Sequence, residues 1–313
     1  MKFDNRLIVV LVAVIGIYAV FLFMSDYNII SEKISNFKIN YLPLILLLVS
    51  ASWVPLIIKW HFLLKNSEIN IPLSKTIAIF FSGSAFEITP GQIGILIKSQ
   101  LLKTSSNISR TKTVPIVIVE KIYDLIGAIL ASVIGIIILG MEFYLIIIAI
   151  SVLVFIFFFM YHRRSSELFF NRMTKLKLFS KYVENISEFY DIIKKSTSVK
   201  ASVICILLAL TYWFMISAAV YYTLMAFDIN VLDYLKILAI YTTSTLLGAI
   251  SFIPGGIGIT EGAIAGLLTL NGLDISTALI LSVMIRVLTL WYTVCVGFIA
   301  LKFTGGFSFK QNS

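Results

Sequence analysis

Apolar runs of about 18 residues or more recur along this chain, the length needed to cross the hydrocarbon core of a bilayer as a helix. They are Leu7–Met24, Tyr41–Trp60, Thr113–Leu139, Phe143–Tyr161, Ala201–Ala226 and Thr277–Leu301. Composition closes off the soluble alternative. Of 313 residues, 59% are hydrophobic and 13% charged, whereas a soluble domain carries roughly 25% charged residues. The mean hydropathy is +0.99. A membrane β-barrel needs short segments that alternate apolar and polar, and these runs are apolar on both faces. The expectation is an all-α, polytopic helical membrane protein, a single integral membrane domain over residues 1–313. No small-x-small cleavage site follows Leu7–Met24, which therefore reads as an uncleaved first spanning helix.

Two further apolar regions are each broken by Pro-Gly, at 76–102 and 235–270. The arms Thr76–Thr89 and Ile93–Leu102 are too short to cross, since crossing takes roughly 20 residues. Leu235–Ile253 approaches that length, but Ile259–Leu270 does not. Re-entrant hairpins that dip in and return fit better. About six spanning helices plus two hairpins then place Lys65, Lys75, Lys103, Arg110, Lys112 and the loop 162–200 on the cytoplasmic side, with both termini. That loop has nine Lys/Arg against four Asp/Glu. The opposite loops are acidic or mixed, with Asp26, Glu32, Lys33, Lys38, Asp228, Asp233 and Asp274. The net charge of +9 is thus accounted for by topology, and no nucleic-acid partner is expected. The hairpins enter from opposite faces, the mark of an inverted repeat. Its first copy covers about 41–161 with hairpin 76–102, and its second about 201–302 with hairpin 235–270. In the connecting loop, Phe179, Tyr182, Val183, Ile186, Phe189, Tyr190 and Ile193 follow helical spacing. They predict an amphipathic helix, lying on the inner membrane surface or packing on the protein.

The chemistry concentrates at the breaks. Pro90, Gly91 and Gly94 form one Pro-Gly-x-x-Gly frame; Pro254, Gly255, Gly256 and Gly258 form the other. Proline withholds an amide donor and glycine admits positive φ, so each pair stops a helix and permits reversal. A helix that restarts after such a break points its partly positive end inward, toward an anionic group. Ionisable residues at membrane depth are the second signal: Glu87, Lys98, Glu120, Lys121, Asp124, Glu261 and Arg286. An unpaired charge there costs at least a few kcal/mol, so each requires a partner or water. Packed kinks and interhelical ion pairs would use the same residues. Cys205 and Cys295 lie in apolar segments and read as inert core thiols rather than a disulfide. With His61 and His162 as the only histidines, no metal site is expected. Trp53, Trp60, Trp213 and Trp291 read as interfacial anchors or packing residues.

Several blocks, taken in order, resemble the transmembrane-region family of lysylphosphatidylglycerol synthases, a flippase-like domain found fused to lipid-modifying enzymes and standing alone. They are Lys59-Trp60-His61-Phe62-Leu63-Leu64, Thr89-Pro90-Gly91-Gln92-Ile93-Gly94, Glu120-Lys121-Ile122-Tyr123-Asp124, Pro254-Gly255-Gly256-Ile257-Gly258-Ile259-Thr260-Glu261, and Arg286 ahead of Leu290-Trp291. The chain departs from the pattern where the family often has an acid directly after Gly94 and an arginine near Lys98; Ile95 and Lys98 stand there. Lys121 replaces the arginine usual beside the first acid of the Glu-x-x-x-Asp pair. The resemblance implies movement of lipids between leaflets, without the fused catalytic domain. On this basis the expected function is a flippase-like transporter of a phospholipid or lipid-linked sugar, without enzymatic activity or cofactor. Arg286, Lys98 and the Pro-Gly amides would meet an anionic headgroup, and Glu120, Asp124 and Glu261 would set local charge. A lipid-phosphate transferase, or a membrane partner of a separate enzyme, are the alternatives. No Gly-x-x-x-x-Gly-Lys-Ser/Thr nucleotide loop is present.

Overall fold

The computed structural model describes residues 33, 35–89, 94–138, 143–161 and 186–304. The run Leu7–Met24, the residues Pro90 and Gly91, and Phe179, Tyr182 and Val183 of the connecting loop lie outside the described residues. All regular structure among the described residues is helical. The helices are α1 (Leu42–Asn66), α2 (Leu73–Ser84), α3 (Ile97–Ser106), α4 (Arg110–Ile138), α5 (Phe143–Tyr161) and α6 (Ile186–Ser196). They continue with α7 (Val199–Ala226), α8 (Tyr234–Ile250), α9 (Ile259–Leu270), α10 (Ile275–Arg286) and α11 (Tyr292–Phe303). A π-helical turn, Val287–Trp291, joins α10 to α11 without a gap.

Local chemistry sets the ends. Pro43 near the start of α1 supplies a fixed φ where no amide donor is needed. Ser198, Asp233 and Asp274 cap α7, α8 and α10, their side chains accepting from the amides of Ala201, Lys236 and Thr277. Asn107 ends α3 in the left-handed conformation, φ 55°. Helices run past the apolar runs by a few polar residues: α1 reaches Asn66 and α4 begins at Arg110. Capping and the last hydrogen-bonded turn lie outside the hydrophobic stretch that sequence reveals.

The protein is a polytopic helical membrane protein. Residues 39–66, 199–226 and 275–303 each form a helix long and apolar enough to cross a bilayer. The 29-residue α4 is about 43 Å long at 1.5 Å per residue, and carries Glu120, Lys121 and Asp124 near its middle. Large apolar side chains face outward along the helices, among them Leu47, Val54, Val203, Leu207, Phe155 and Ile299. That pattern suits lipid, where exposed apolar surface carries no penalty.

Helices α1 and α7 pack side by side and antiparallel. At one end Lys38 pairs with Asp228 at 2.7 Å and Phe37 meets Phe227. At the other, Lys195 pairs with Glu68 at 2.7 Å and Asn66 donates to the Lys195 carbonyl. Around this pair the halves interlock. Helix α2 of the first hairpin packs on α11, and α8 of the second packs on α4. Exchanging α1 with α7, α2 with α8, α3 with α9, and α4 with α10–α11 carries one half's contacts onto the other's: α3–α4 onto α9–α10, α2–α3 onto α8–α9, α1–α2 onto α7–α8.

Each Pro-Gly region folds back on itself, as α2 against α3 and α8 against α9. Lys75 at the start of α2 donates to the Ser105 carbonyl near the end of α3, so the first hairpin enters and leaves at one end of the molecule. Glu68, Ser67, Lys112 and Lys195 gather around one polar hollow at that end, with Lys75 and Lys103 on the adjoining α2 and α3. In α6, Phe189, Tyr190, Ile192 and Ile193 are buried, and the helix packs on α4, α5, α7 and α1. Its described part is a helix packed on the protein.

Candidate functional site

The second break is held by one carboxylate. Gly255 and Gly256 both have positive φ, 61° and 65°, as does Phe252 at 55°; two glycines in sequence make the reversal possible without Cβ strain. The amide of Gly256 donates to the Ile253 carbonyl at 2.9 Å and that of Ile257 to the Pro254 carbonyl at 3.2 Å. The amide of Gly258 donates to Glu261 Oε2 at 2.7 Å. Arg286 Nε donates to Glu261 Oε1 at 2.9 Å, and Arg286 Nη2 donates to the Gly255 carbonyl. Glu261 therefore caps α9 and pairs with α10 together. For these amides of the second break, the contacts run within the chain rather than toward a headgroup. The amides of Gly256, Ile257 and Gly258 have acceptors within the chain, and the anion at the start of α9 is Glu261 itself.

At the first break Thr89 stitches the flanks. Its hydroxyl donates to the Phe86 carbonyl at 2.7 Å and accepts from the Gly94 amide at 2.8 Å. A Cβ on Gly94 would lie 2.6 Å from Thr89 Cγ2, so this closure requires glycine. Beyond it, Lys98 is 1% exposed. Its Nζ donates to both Glu120 oxygens, at 2.9 and 3.0 Å, and sits 4.7 Å from the Trp60 and Phe80 ring centroids. Lys98 is thus an enclosed structural cation, not a group presented to a headgroup.

The two halves use this pairing with reversed polarity. In the first, the base is on the hairpin (Lys98) and the acid on the following helix (Glu120). In the second, the acid is on the hairpin (Glu261) and the base on the following helix (Arg286).

Asp124 collects a third cluster. It is ion-paired with Lys59, which is fully buried in α1, and with Lys121 Nζ at 3.5 Å. The Asp124 carbonyl accepts from Trp213 Nε1 at 3.1 Å. Lys59 escapes the sequence tally of membrane-depth charges because it sits one residue before the end of its apolar run. Including it gives four acids (Glu87, Glu120, Asp124, Glu261) and four bases (Lys59, Lys98, Lys121, Arg286). Glu87, at the tip of the first hairpin, is the acid of these with no ion pair within 4.0 Å among the described residues.

A cavity of about 450 Å³ lies between the first hairpin, ahead of its break, and the second break. The first hairpin contributes Ser84 and Glu87, and α4 contributes Lys121 and Asp124. The second hairpin contributes Thr245, Gly248, Phe252, Ile253, Gly255 and Gly256, and the long last helix Arg286, Thr289 and Thr293. Trp53, Tyr212, Trp213 and Tyr241 complete the wall. The π-helical turn begins directly after Arg286 and carries Thr289 and Leu290 into the lining. Such turns recur at functional sites because the extra residue re-aims side chains. Of the residues that sequence singled out, Lys121, Asp124, Gly255, Gly256 and Arg286 line the cavity. Gly94, Lys98, Glu120, Pro254, Gly258 and Glu261 stand outside that lining, where the hydrogen bonds above place several of them as supports. Sequence reading missed the hydroxyl pairs Tyr241–Thr245 and Thr289–Thr293, although each is spaced one helical turn apart. Among the described residues no group of His, Cys, Asp and Glu is arranged to hold a metal ion.

Two interlocked helical halves, each with a broken hairpin tied by a buried ion pair to the next helix, frame this cavity. The family described as "Lysylphosphatidylglycerol synthase TM region" matches residues 7–297. The chain belongs to that family. No curated protein matches it. As a lysylphosphatidylglycerol synthase TM-region protein, the chain replaces an acid often found after Gly94 with Ile95, which is buried among apolar neighbours. Its acid at the first break is instead Glu87, which faces the cavity. Of the four tryptophans, Trp53, Trp60 and Trp213 are buried, so packing rather than interfacial anchoring accounts for them. Cys205 is buried, as expected for a core thiol, while Cys295 faces outward.

Proposed function

We propose that this protein moves a phospholipid or lipid-linked sugar between leaflets, passing the headgroup through the cavity while the tails remain in lipid. The observation that carries this reading is the cavity itself, lined from both hairpins by charges and hydroxyls. Beside these polar groups, Ile250 and Phe252 of its lining are 69% and 74% exposed, so apolar surface adjoins a polar interior. Lys121 and Arg286 would hold an anionic headgroup by charge-assisted hydrogen bonds. Thr245, Thr289, Thr293 and Tyr241 supply neutral partners. The chain carries out no bond-making of its own in this reading. The basic end faces the cytoplasm in a cell membrane, and the two folded-back regions are re-entrant hairpins of an inverted repeat.

Reconstitution tests the activity. In liposomes holding fluorescent phospholipid or lipid-linked sugar, the protein should speed exchange between leaflets. Lys121→Ala should slow it about 10- to 100-fold, the worth of one charge-assisted bond of about 1.5–3 kcal/mol. Chemical conversion of the lipid that depends on a divalent metal would instead identify a transferase. Orientation has its own test: single cysteines placed at 103–112 and at 271–276 should react with impermeant reagent from opposite faces. Labelling from one face would refute the inverted hairpins.

A further inference from the structure

The charges around the cavity are balanced, and that balance constrains what can enter with an anion. The four acids and four bases at membrane depth sum to zero when all are ionised. Three of the acids are locked: Glu120 by Lys98, Glu261 by Arg286 and the Gly258 amide, and Asp124 by Lys59 and Lys121. Glu87 is placed differently. It lines the cavity, makes no ion pair within 4.0 Å among the described residues, and lies on the short turn between α2 and the first break. The groups around it are Ser84 on its own hairpin, Lys121 and Asp124 from α4, Lys98 from α3, Tyr212 from α7 and Tyr241 from α8. Of the cations, Lys98 is consumed by Glu120, and Lys121 is divided between Asp124 and the open cavity.

An anionic phosphate drawn to Lys121 and Arg286 would give the site a net negative charge in a low-dielectric setting, at a cost of several kcal/mol. Protonation of one acid removes that cost. A locked acid would surrender its ion pair and strand a buried base; Glu87 has no ion pair within 4.0 Å to surrender, only the hydrogen bond of Ser84 and the more distant attraction of Lys121 and Lys98. A metal cation is a poorer fit, because Lys121 repels it and the neighbouring oxygens of Asp124 are already engaged. We propose that Glu87 is a proton-binding site, so that an anionic phosphate headgroup enters this cavity together with a proton. This rests on the lipid-moving reading given above. The second hairpin has no equivalent acid: Ser251 stands three residues before Pro254 where Glu87 stands three before Pro90. The proton is therefore taken up on one half only.

Calorimetric titration of the purified full chain, in buffers of different ionisation enthalpy, counts protons exchanged on binding. The probes are short-chain phosphatidylglycerol and, to separate a headgroup requirement from simple phosphate binding, glycerol phosphate. Wild type should take up about one proton per lipid near neutral pH, and its affinity should weaken as pH rises. Glu87→Gln, a permanent mimic of the protonated acid, should bind with no proton uptake and with affinity independent of pH. Glu87→Asp, retaining a carboxyl, should restore uptake, which a merely structural role would not produce. Binding of phosphatidylglycerol without proton uptake, or equal uptake in Glu87→Gln, would overturn the proton site alone. Failure of both probes to bind would remove this site and the lipid-moving reading for an anionic phospholipid together. Proton uptake with glycerol phosphate alone would keep the proton site and point to a soluble phosphate as ligand.

Discussion

Arg286→Ala should stop lipid movement and lower stability by about 3–5 kcal/mol, because it strands the buried Glu261 carboxylate without its partner. The arginine also ties the Gly255 carbonyl, so the second break loses its tether to α10. Glu261→Ala should cost a similar amount, adding the loss of the cap on the Gly258 amide. The double substitution separates the two contributions. With neither charge present, thermal unfolding in detergent should recover part of the lost stability, since the pair is coupled. Movement should not recover, because the cavity has lost its second cation. Lipid exchange that survives both single substitutions would remove Arg286 from the site. Arg286→Lys should fall between, keeping charge but losing the planar fork that spans Glu261 and Gly255.

Gly297→Ala should be the most disruptive single-methyl change outside the cavity. A Cβ there would lie 2.8 Å from the Phe81 carbonyl oxygen and tight against the Ala85 backbone. No side chain can swing aside, so α2 must part from α11. The expected cost is about 1–3 kcal/mol, with slowed exchange because the first hairpin is displaced. Gly266→Ala is the control. Nothing lies within 4 Å of its added methyl, and alanine is the better helix former by about 1 kcal/mol. Melting temperatures of the two variants should move in opposite directions. A neutral Gly297→Ala would mean that the α2–α11 contact yields easily.

Much of this architecture is legible in the sequence because a membrane writes it coarsely. Long apolar runs mark α1, α7 and the last helix, and Pro-Gly marks the two places where α2–α3 and α8–α9 fold back. What the sequence hides is pairing. Lys98 looks like a headgroup ligand from its position, yet a neighbouring acid and two aromatic rings enclose it. Lys59 looks like a membrane-edge lysine, yet its side chain turns inward to Asp124. A long flexible stem lets a lysine reach a partner well away from its own backbone position, so depth along a helix does not fix where the charge ends up. The break amides mislead for a related reason. A helix start attracts an anion, and three residues downstream the chain supplies Glu261. The π-helical turn has no sequence signal that distinguishes it from the helix on either side.

The exchange of helices between halves has a mechanical side. Because α2 leans on α11 and α8 on α4, each hairpin is braced by the far half of the chain rather than by its own. A tilt of either hairpin must push the closing helix of the opposite half, which carries Arg286 in one direction and Lys121 and Asp124 in the other. The two hairpins are therefore coupled through the contacts that build the fold, and under the proposed lipid-moving function neither would shift without the other half responding.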